Sequence, residues 1–293
     1  MGKMAFVFPG QGAQVVGMGR DVYEHSEKAR EVFDRASEAV GLDLKALCFE
    51  ENEDINITEF TQVCLLTTSV AIMEELRSRG ISPDVAGGLS LGEYCALVAA
   101  GSMNYIDAAR AVRKRGIYMQ EEVPAGQGGM AAILGMDAEE IDKHIAGFDK
   151  VQVANYNCPG QIVISGEIEA INKACEAAKA AGAKRALPLK VGGAFHSPLM
   201  EPARQELAEA IAATEFHAPV CPVYQNVDAL PHTDPAEIKA NLIAQLTAPV
   251  RWTQSARNMI ADGATEFVEL GPGKVLQGLV SKVSRDVTVS GKQ

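Results

Sequence analysis

The residue with the most evident chemistry is a serine between two glycines, in the segment Gly88-Leu89-Ser90-Leu91-Gly92. A short apolar segment precedes it, and a run that favours a helix follows it. This G-x-S-x-G spacing between a strand and a helix is typical of a sharp turn that exposes a nucleophilic serine hydroxyl. Glycines on both sides let the backbone approach the serine, where a Cβ would collide. The alternative is a glycine-rich turn that contains a serine by chance.

A nucleophilic serine needs a base, and His196 is the best candidate. It closely follows a Gly-Gly pair, between a predicted strand and a predicted helix. The other histidines lie in charged helical sequence or near prolines: His25, His144, His217 and His232. A lone histidine is usually structural. A histidine in a glycine-rich connection, in a chain with a candidate serine nucleophile, favours general-base chemistry instead.

Four cations lie close together on one predicted helix: Arg110, Arg113, Lys114 and Arg115. We expect the first three to be solvated, as most exposed cations on helices are. Arg115 precedes a glycine and an apolar segment. If its side chain is buried, it needs a carboxylate partner or a ligand, because an unpaired buried charge is costly.

A second glycine-rich loop, Gly10-Gln11-Gly12, follows a predicted buried strand over residues 4–8. Its glycines would let the backbone approach a ligand, with Gln11 as the polar group between them. The alternative is a flexible turn. A dinucleotide-binding G-x-G-x-x-G motif is excluded, because Val15 occupies the third glycine position.

The composition excludes several classes of protein. With a net charge of −11 and no basic tract, the chain is not expected to bind nucleic acid. Its 6 cysteines are scattered without a C-x-x-C pair, which argues against a disulfide framework or a zinc site and indicates a reducing compartment. No segment resembles a signal peptide or a membrane span, so we expect a soluble, cytoplasmic protein without a membrane partner.

The alternation of strand and helix patterns indicates an α/β fold. Between residues 126 and 192 the predicted order is β-α-β-β-α-β, the ferredoxin-like pattern, in a segment short enough to be an inserted subdomain. Residues 1–125 and 193–293 would then form the core. The predicted strands include Ala186–Val191, Val220–Asn226 and Val287–Val289.

Several segments resemble those of one known family. They are PGQGAQ (Pro9–Gln14), GLSLGEY (Gly88–Tyr94), Lys114–Gly116 with Met119–Glu121, GAFHSPLM (Gly193–Met200) and ELGPGKVL (Glu269–Leu276). In these segments and their order, over essentially the whole chain, the sequence resembles the malonyl-CoA:acyl carrier protein transacylases of fatty-acid synthesis and the wider acyltransferase family of polyketide synthases. Leu89 departs from the family, which usually has a histidine before the nucleophile.

The resemblance implies an α/β-hydrolase-like core with a largely parallel sheet, an inserted ferredoxin-like subdomain, and a cleft between them. It implies that Ser90 is the nucleophile and His196 its base, with the imidazole oriented by a backbone carbonyl near Gln245. The other implied roles are an oxyanion hole from Gln11 and the Leu91 backbone N–H, carboxylate binding by Arg115, and cleft contacts from Asn155 and Asn157.

The implied reaction moves a malonyl group from malonyl-CoA to Ser90, and then to the thiol of an acyl carrier protein, with no metal or cofactor. Phe195, next to the base, is expected to crowd the acyl α-carbon. Two alternatives remain open: a trans-acting acyltransferase of a polyketide or polyunsaturated fatty-acid assembly line, and a serine acyl hydrolase. Arg115 and Phe195 argue against hydrolysis of neutral acyl chains. A catalytically inactive binding module would have lost Ser90, His196, Gln11 or Arg115, and all four are present.

Overall fold

The computed structural model describes residues 2–123, 126–189 and 191–293. The elements of the first half are β1 (Lys3–Phe8), α1 (Arg20–His25), α2 (Glu27–Val40), α3 (Leu44–Phe49), α4 (Thr58–Ser78), β2 (Val85–Gly88), α5 (Gly92–Ala99), α6 (Tyr105–Glu122), β3 (Gly128–Leu134) and α7 (Ala138–Ile145). Those of the second half are β4 (Val151–Cys158), β5 (Gln161–Glu167), α8 (Ile168–Ala180), β6 (Arg185–Pro188), α9 (Glu201–Ala210), β7 (Val223–Tyr224), β8 (Pro231–His232), α10 (Pro235–Ala244), α11 (Trp252–Ala261), β9 (Ala264–Leu270), α12 (Val275–Val283) and β10 (Thr288–Lys292).

The larger sheet has six strands in the order β10-β9-β1-β2-β7-β8. Neighbouring strands are parallel except β7 and β8, which are antiparallel. Strand β1 lies inside the sheet because its continuous apolar run, Ala5–Phe8, is buried on both faces. The prediction of an α/β fold with a largely parallel sheet is therefore confirmed.

Three predicted strands differ in extent. The strand predicted over 220–226 is reduced to β7. At its start Pro222 has no N–H to donate to a ladder, and beyond its end the Asn226 N–H donates to Glu93 instead of a strand. The C-terminal strand predicted over 287–289 is present as β10, parallel to β9. The strand predicted over 186–191 is shorter in the structure (β6), and residue 190 lies outside the described part of the chain.

Helix α4 crosses the interior beside the larger sheet. Its 21 residues are buried on nearly every face, as expected for a helix that is apolar or small all round. It packs along α6. Because the two helices lie side by side, the buried polar residues Gln62 of α4 and Arg115 of α6 can meet.

The second sheet is antiparallel throughout, in the strand order β4-β5-β3-β6. It has its own apolar cluster with α7 and α8, and Asp137 and Glu140 cap α7 with reciprocal side-chain hydrogen bonds. Strand β4 is hydrogen-bonded to Val250, which lies outside the second sheet. Val250 donates its N–H to the Ala154 carbonyl, and its own carbonyl accepts the Tyr156 N–H.

The predicted division of the chain after residue 125 falls partly outside the described residues. Across residues 2–123, 126–189 and 191–293, no helix has both the length and the apolar character needed to cross a membrane. All six cysteines are buried and unpaired.

Candidate active site

Ser90 lies at a sharp turn between the end of β2 and the start of α5. Its φ is 55°, in the left-handed region that non-glycine residues rarely adopt. Steric constraints require the neighbouring glycines, because any side chain there would collide with the backbone. A Cβ at Gly88 would lie 2.0 Å from the Gly92 carbonyl oxygen, and one at Gly92 would lie 2.1 Å from the Phe8 oxygen. The sequence pattern thus forms a tight elbow that presents the serine hydroxyl.

The predicted nucleophile and the predicted base are in hydrogen-bond contact. Ser90 Oγ lies 2.7 Å from His196 Nε2. On the other side of the imidazole, Nδ1 lies 2.9 Å from the backbone oxygen of Gln245. A carbonyl can only accept, so Nδ1 carries the hydrogen and Nε2 is free to accept the serine proton.

The environment of His196 favours the neutral imidazole. Burial lowers its pKa to about 4, and the positive charge of Arg115 adds to this effect. At neutral pH the ring is therefore unprotonated, which is the form that a general base requires.

Arg115 is 1% exposed and lies beside the serine. Its guanidinium donates to Gln62 Oε1 at 2.7 Å, to Gln245 Oε1 at 3.1 Å and to Ser90 Oγ at 3.0 Å. Its Nε has no hydrogen-bond acceptor among the described residues. The buried cation thus has amide and hydroxyl partners instead of a carboxylate, an arrangement suited to an anionic ligand.

Arg113 corrects the sequence interpretation of the same helix. The expectation that it is solvated is wrong: its guanidinium pairs with Glu59 at 2.5 Å and lies over the ring of Phe60. Arg110 and Lys114 are exposed, as expected. The two less exposed arginines of this helix, Arg113 and Arg115, therefore differ, because within the described part of the chain only Arg113 has a carboxylate partner.

Gln11 and Leu91 lie where an oxyanion could be bound. Gln11 lines the cavity at Ser90 and donates its side-chain N–H to Thr58 Oγ1 at 3.1 Å. Leu91 is the N-cap residue of α5, and its backbone N–H has no acceptor among the described residues. The start of a helix carries unpaired N–H groups and a positive potential, both of which favour a developing negative charge.

A cavity of about 190 Å³ opens at the serine, between the two sheets. Phe195, Asn155 and Asn157 line it, as does Leu89 next to Ser90. Phe195 is 5% exposed. The side-chain oxygen of Asn157 is buried and has no hydrogen-bond donor among the described residues. All the predicted site residues therefore meet around one cavity, or contact Ser90 and His196 directly.

Two further site residues were not predicted from the sequence. Gln62 accepts a hydrogen bond from Arg115, and its only sequence signal is that it is polar in a largely apolar helix. Asn226 accepts the Ser90 backbone N–H at 2.7 Å and donates to the Gly88 carbonyl at 2.7 Å. No motif marked Asn226, because its partners lie far away in the sequence.

These groups can form an acyl–serine bond. Ser90 can supply a nucleophile, His196 can accept its proton, and N–H groups near Leu91 can stabilise an oxyanion. Within the described residues, no group of three or more His, Cys, Asp or Glu side chains could hold a metal ion.

Known proteins are similar to this chain in sequence and in fold. Residues 5–291 match the acyl transferase domain family. The chain is 51% identical over 290 residues to the malonyl CoA-acyl carrier protein transacylase of Bacillus subtilis, covering 97% of this chain and 92% of that protein.

Solved structures agree with this match. An acyl carrier protein S-malonyltransferase from Vibrio cholerae superposes with a TM-score of 0.96 and 45% identity, covering 99% of this chain and 97% of that one. A malonyl-transacylase solved in complex with a type II PKS acyl-carrier protein gives a TM-score of 0.96 and 41% identity, covering 99% and 95%. The chain therefore belongs to the acyl transferase domain family, among the malonyl CoA-acyl carrier protein transacylases.

Proposed function

We propose that the chain transfers the malonyl group of malonyl-CoA to the phosphopantetheine thiol of acyl carrier protein through a malonyl-Ser90 intermediate, supplying fatty-acid synthesis. One observation carries this proposal. Ser90 Oγ lies 2.7 Å from a neutral histidine and 3.0 Å from a buried arginine that has no carboxylate partner among the described residues. Similar proteins bear names that describe malonyl transfer to acyl carrier protein.

In the first half of the reaction, Ser90 Oγ attacks the thioester carbonyl while its proton moves to His196 Nε2. Gln11 and the Leu91 backbone N–H stabilise the oxyanion, a contribution of about 3–4 kcal/mol per donor in related chemistry. Collapse of the intermediate breaks the carbon–sulfur bond, and the departing thiolate of CoA takes the proton from His196. The same steps run in reverse order when the thiol of the carrier attacks malonyl-Ser90.

Arg115 binds the free carboxylate of the malonyl group. Its unpartnered Nε, together with the Nη2 that now contacts Ser90 Oγ, can donate two parallel hydrogen bonds to a carboxylate. A planar, permanently charged guanidinium suits this geometry better than a lysine ammonium does. Phe195 crowds the α-carbon of the acyl group, and Asn155 and Asn157 contact the rest of the substrate from the other wall.

We further infer that the larger sheet and its helices are an α/β-hydrolase-like core formed by residues 1–125 and 193–293. Residues 126–192 then form an inserted ferredoxin-like subdomain, supported by the strand order β4-β5-β3-β6 and the two helices that cover it. The unpaired cysteines support a reducing compartment such as the cytoplasm.

Mass spectrometry of the intact protein after mixing with malonyl-CoA tests the proposal. We expect one malonyl adduct, which persists until holo acyl carrier protein is added and is then transferred to it. Ser90→Ala should form no adduct, because it lacks the covalent acceptor. An adduct on Ser90→Ala would contradict the assignment of the nucleophile. An adduct lost to water as fast as to the carrier would indicate a hydrolase.

A further inference from the structure

Glu93 is a carboxylate with no solvent exposure, in the first turn of α5 and three residues after the nucleophile. Its Oε2 accepts the backbone N–H of Asn226 at 2.7 Å, and its Oε1 accepts a hydrogen bond from Gln225 Nε2 at 3.1 Å. Gln225 and Asn226 are also fully buried. Glu93 therefore ties the segment after β7 to the helix that begins at the elbow.

The side chain of Asn226 extends this connection to the nucleophile. Its Oδ1 accepts the Ser90 backbone N–H and its Nδ2 donates to the Gly88 carbonyl, both at 2.7 Å. One amide thus holds two backbone groups on the two sides of the elbow. A left-handed non-glycine residue is strained and persists only where the surrounding contacts fix it. The contacts of Asn226 are of this kind.

The same network has an ionisable side chain at each end, Arg115 and Glu93. Arg115 donates to Gln245 Oε1 at 3.1 Å, and Gln245 Nε2 donates to the Ser90 carbonyl at 3.0 Å and to Asn226 Oδ1 at 3.3 Å. Glu93 then accepts the Asn226 backbone N–H. Because Arg115 can only donate, the oxygen of the Gln245 amide must face it. Likewise, the NH₂ group of Gln225 faces the Glu93 oxygen that accepts from it. Burial raises the pKa of Glu93 to about 7, while the hydrogen bonds from Asn226 and Gln225 oppose that rise.

We propose that Glu93 is a positioning residue for this reaction: acting through Asn226, it holds Ser90 in the left-handed conformation that places Oγ on His196 Nε2. Glu93 touches no reacting atom. The inference rests on the proposed function, because it takes Ser90 as the nucleophile. If it is correct, the reaction depends on Glu93 in addition to Ser90, His196 and Arg115.

The test uses Glu93→Gln and a reagent that needs neither CoA nor Arg115. The neutral compound diisopropyl fluorophosphate phosphorylates an activated serine: Oγ bonds to phosphorus, fluoride leaves, and the proton passes to the histidine. Both carboxylate oxygens of Glu93 now accept hydrogen bonds, but a glutamine side chain has only one oxygen and an NH₂ group. Its NH₂ group would therefore face either the Asn226 N–H or the Gln225 NH₂ group, and that hydrogen bond would be lost. We expect the maximal rate of labelling, kinact, to fall about 10²-fold, the size of effect that misplacement by about 1 Å produces. The half-saturating reagent concentration, KI, should stay within about twofold, since the cavity itself is unchanged.

Glu269→Gln is the matched control. Glu269 is also fully buried, and it accepts the backbone N–H groups of Leu276 and Gln277 at 3.0 and 3.1 Å. The variant therefore measures the cost of losing a buried carboxylate as such. We expect it to unfold at a lower temperature and to keep kinact within about threefold per folded molecule. An equal loss of kinact in both variants, or an unchanged kinact in Glu93→Gln, overturns the proposal.

If Glu93→Gln does not fold, Gln225→Met provides the second arm. It removes one donor to Glu93 and keeps an unbranched side chain of similar length. We expect kinact to fall several-fold at constant KI, and an unchanged kinact overturns the proposal. A wild-type protein that is not labelled at Ser90 contradicts the proposed function, and with it this inference, before any variant is compared.

Discussion

The two walls of the cavity are built differently. On the wall from the larger sheet, the Ser90 hydroxyl, the Gln245 amide and most of the Arg115 guanidinium lie in a continuous hydrogen-bonded network. On the wall from the smaller sheet, Val163 and Met130 are apolar, and the Asn157 side-chain oxygen has no donor among the described residues. The larger-sheet wall is held mainly by its own contacts, with one further hydrogen bond from Gln152 of β4 to the His196 carbonyl. At the cavity itself, the smaller-sheet wall offers shape and an unused acceptor.

This difference indicates that the two walls have different roles: one positions groups for chemistry, and the other accommodates the substrate. Groups that must be fixed to a fraction of an ångström for chemistry belong on rigid, fully hydrogen-bonded elements. Groups that only accommodate a substrate can include a polar atom that has no partner in the protein and is free to bind the substrate. Among the described residues that line the cavity, two buried side-chain atoms lack a hydrogen-bond partner, Arg115 Nε and Asn157 Oδ1. They match a ligand with a carboxylate at one end and amide N–H groups farther along. A malonyl group on a pantetheine arm has both, so changes on the two walls should have different kinetic signatures.

His196→Ala should have the largest effect on the rate of acylation. Without the imidazole, no group takes the serine proton, and general-base assistance is typically worth about 10²–10⁴-fold in rate. We expect the rate of malonyl-Ser90 formation to fall by that factor, measured by rapid quenching, while binding of malonyl-CoA measured by calorimetry stays nearly unchanged. A variant that acylates at the wild-type rate would show that another base is used.

Arg115→Ala should change the choice of acyl group. Hydrogen bonds to a charged group contribute about 1.5–3 kcal/mol, so the ratio of malonyl to acetyl transfer should fall about 10–100-fold. The control is Arg113→Ala, on the same helix, whose cation is already paired with Glu59. It should leave the ratio unchanged. If Arg115→Ala also leaves the ratio unchanged, Arg115 does not bind the carboxylate.

On the opposite wall, Asn157→Ala should act on binding and not on chemistry. Losing one neutral hydrogen bond costs about 0.5–1.5 kcal/mol, which raises the KM for malonyl-CoA by up to about tenfold. We expect kcat to stay within about twofold, measured by steady-state transfer to carrier protein. A large fall in kcat at constant KM would mean that Asn157 itself positions reacting groups, and the two walls would not differ as described.

The resemblance to a known family implied the largely parallel sheet, whereas short-range patterns in the sequence predicted the elbow and the buried strand β1. Each depends on residues within a few positions of one another, such as Gly88 and Gly92 around Ser90. Strand β7 was predicted to be too long, because the apolar residues Val220 and Cys221 precede Pro222, which cannot donate to the ladder. The pattern therefore gave the location of this strand but not its length.

Contacts between distant residues were not predictable from the sequence. Asn226 lies 136 residues from the serine whose backbone it binds, and Glu59 lies 54 residues from Arg113. Nothing in the local sequence of Arg113 distinguishes it from a solvated arginine. The roles of Ser90, His196 and Arg115 remain predictions that substitutions at these positions test, although the structure brings the three side chains together.

The smallest expected effect concerns Leu89, the position before Ser90 at which the family resemblance implies a histidine. Its backbone is held independently of its side chain, since the Leu89 N–H donates to the Phe8 carbonyl at 3.0 Å. The leucine side chain lines the cavity and packs partly on the apolar cluster beneath the sheet. Because contacts of Asn226 and Gln245 with the elbow backbone fix Ser90, the side chain at position 89 can only adjust the surroundings of the nucleophile.

Leu89→His should therefore change the acylation rate by less than about tenfold, or about 1.4 kcal/mol of activation free energy. Leu89→Ala is the matched control, because it removes the apolar contact without adding a polar ring. Both rates are measured by single-turnover quenching, and the folded fraction by thermal unfolding. If Leu89→His alone alters the rate by several orders of magnitude, a histidine at this position takes part in the chemistry. The wall that carries Ser90 would then be incomplete in this chain, and its hydrogen-bonded network would not by itself account for a fully positioned nucleophile.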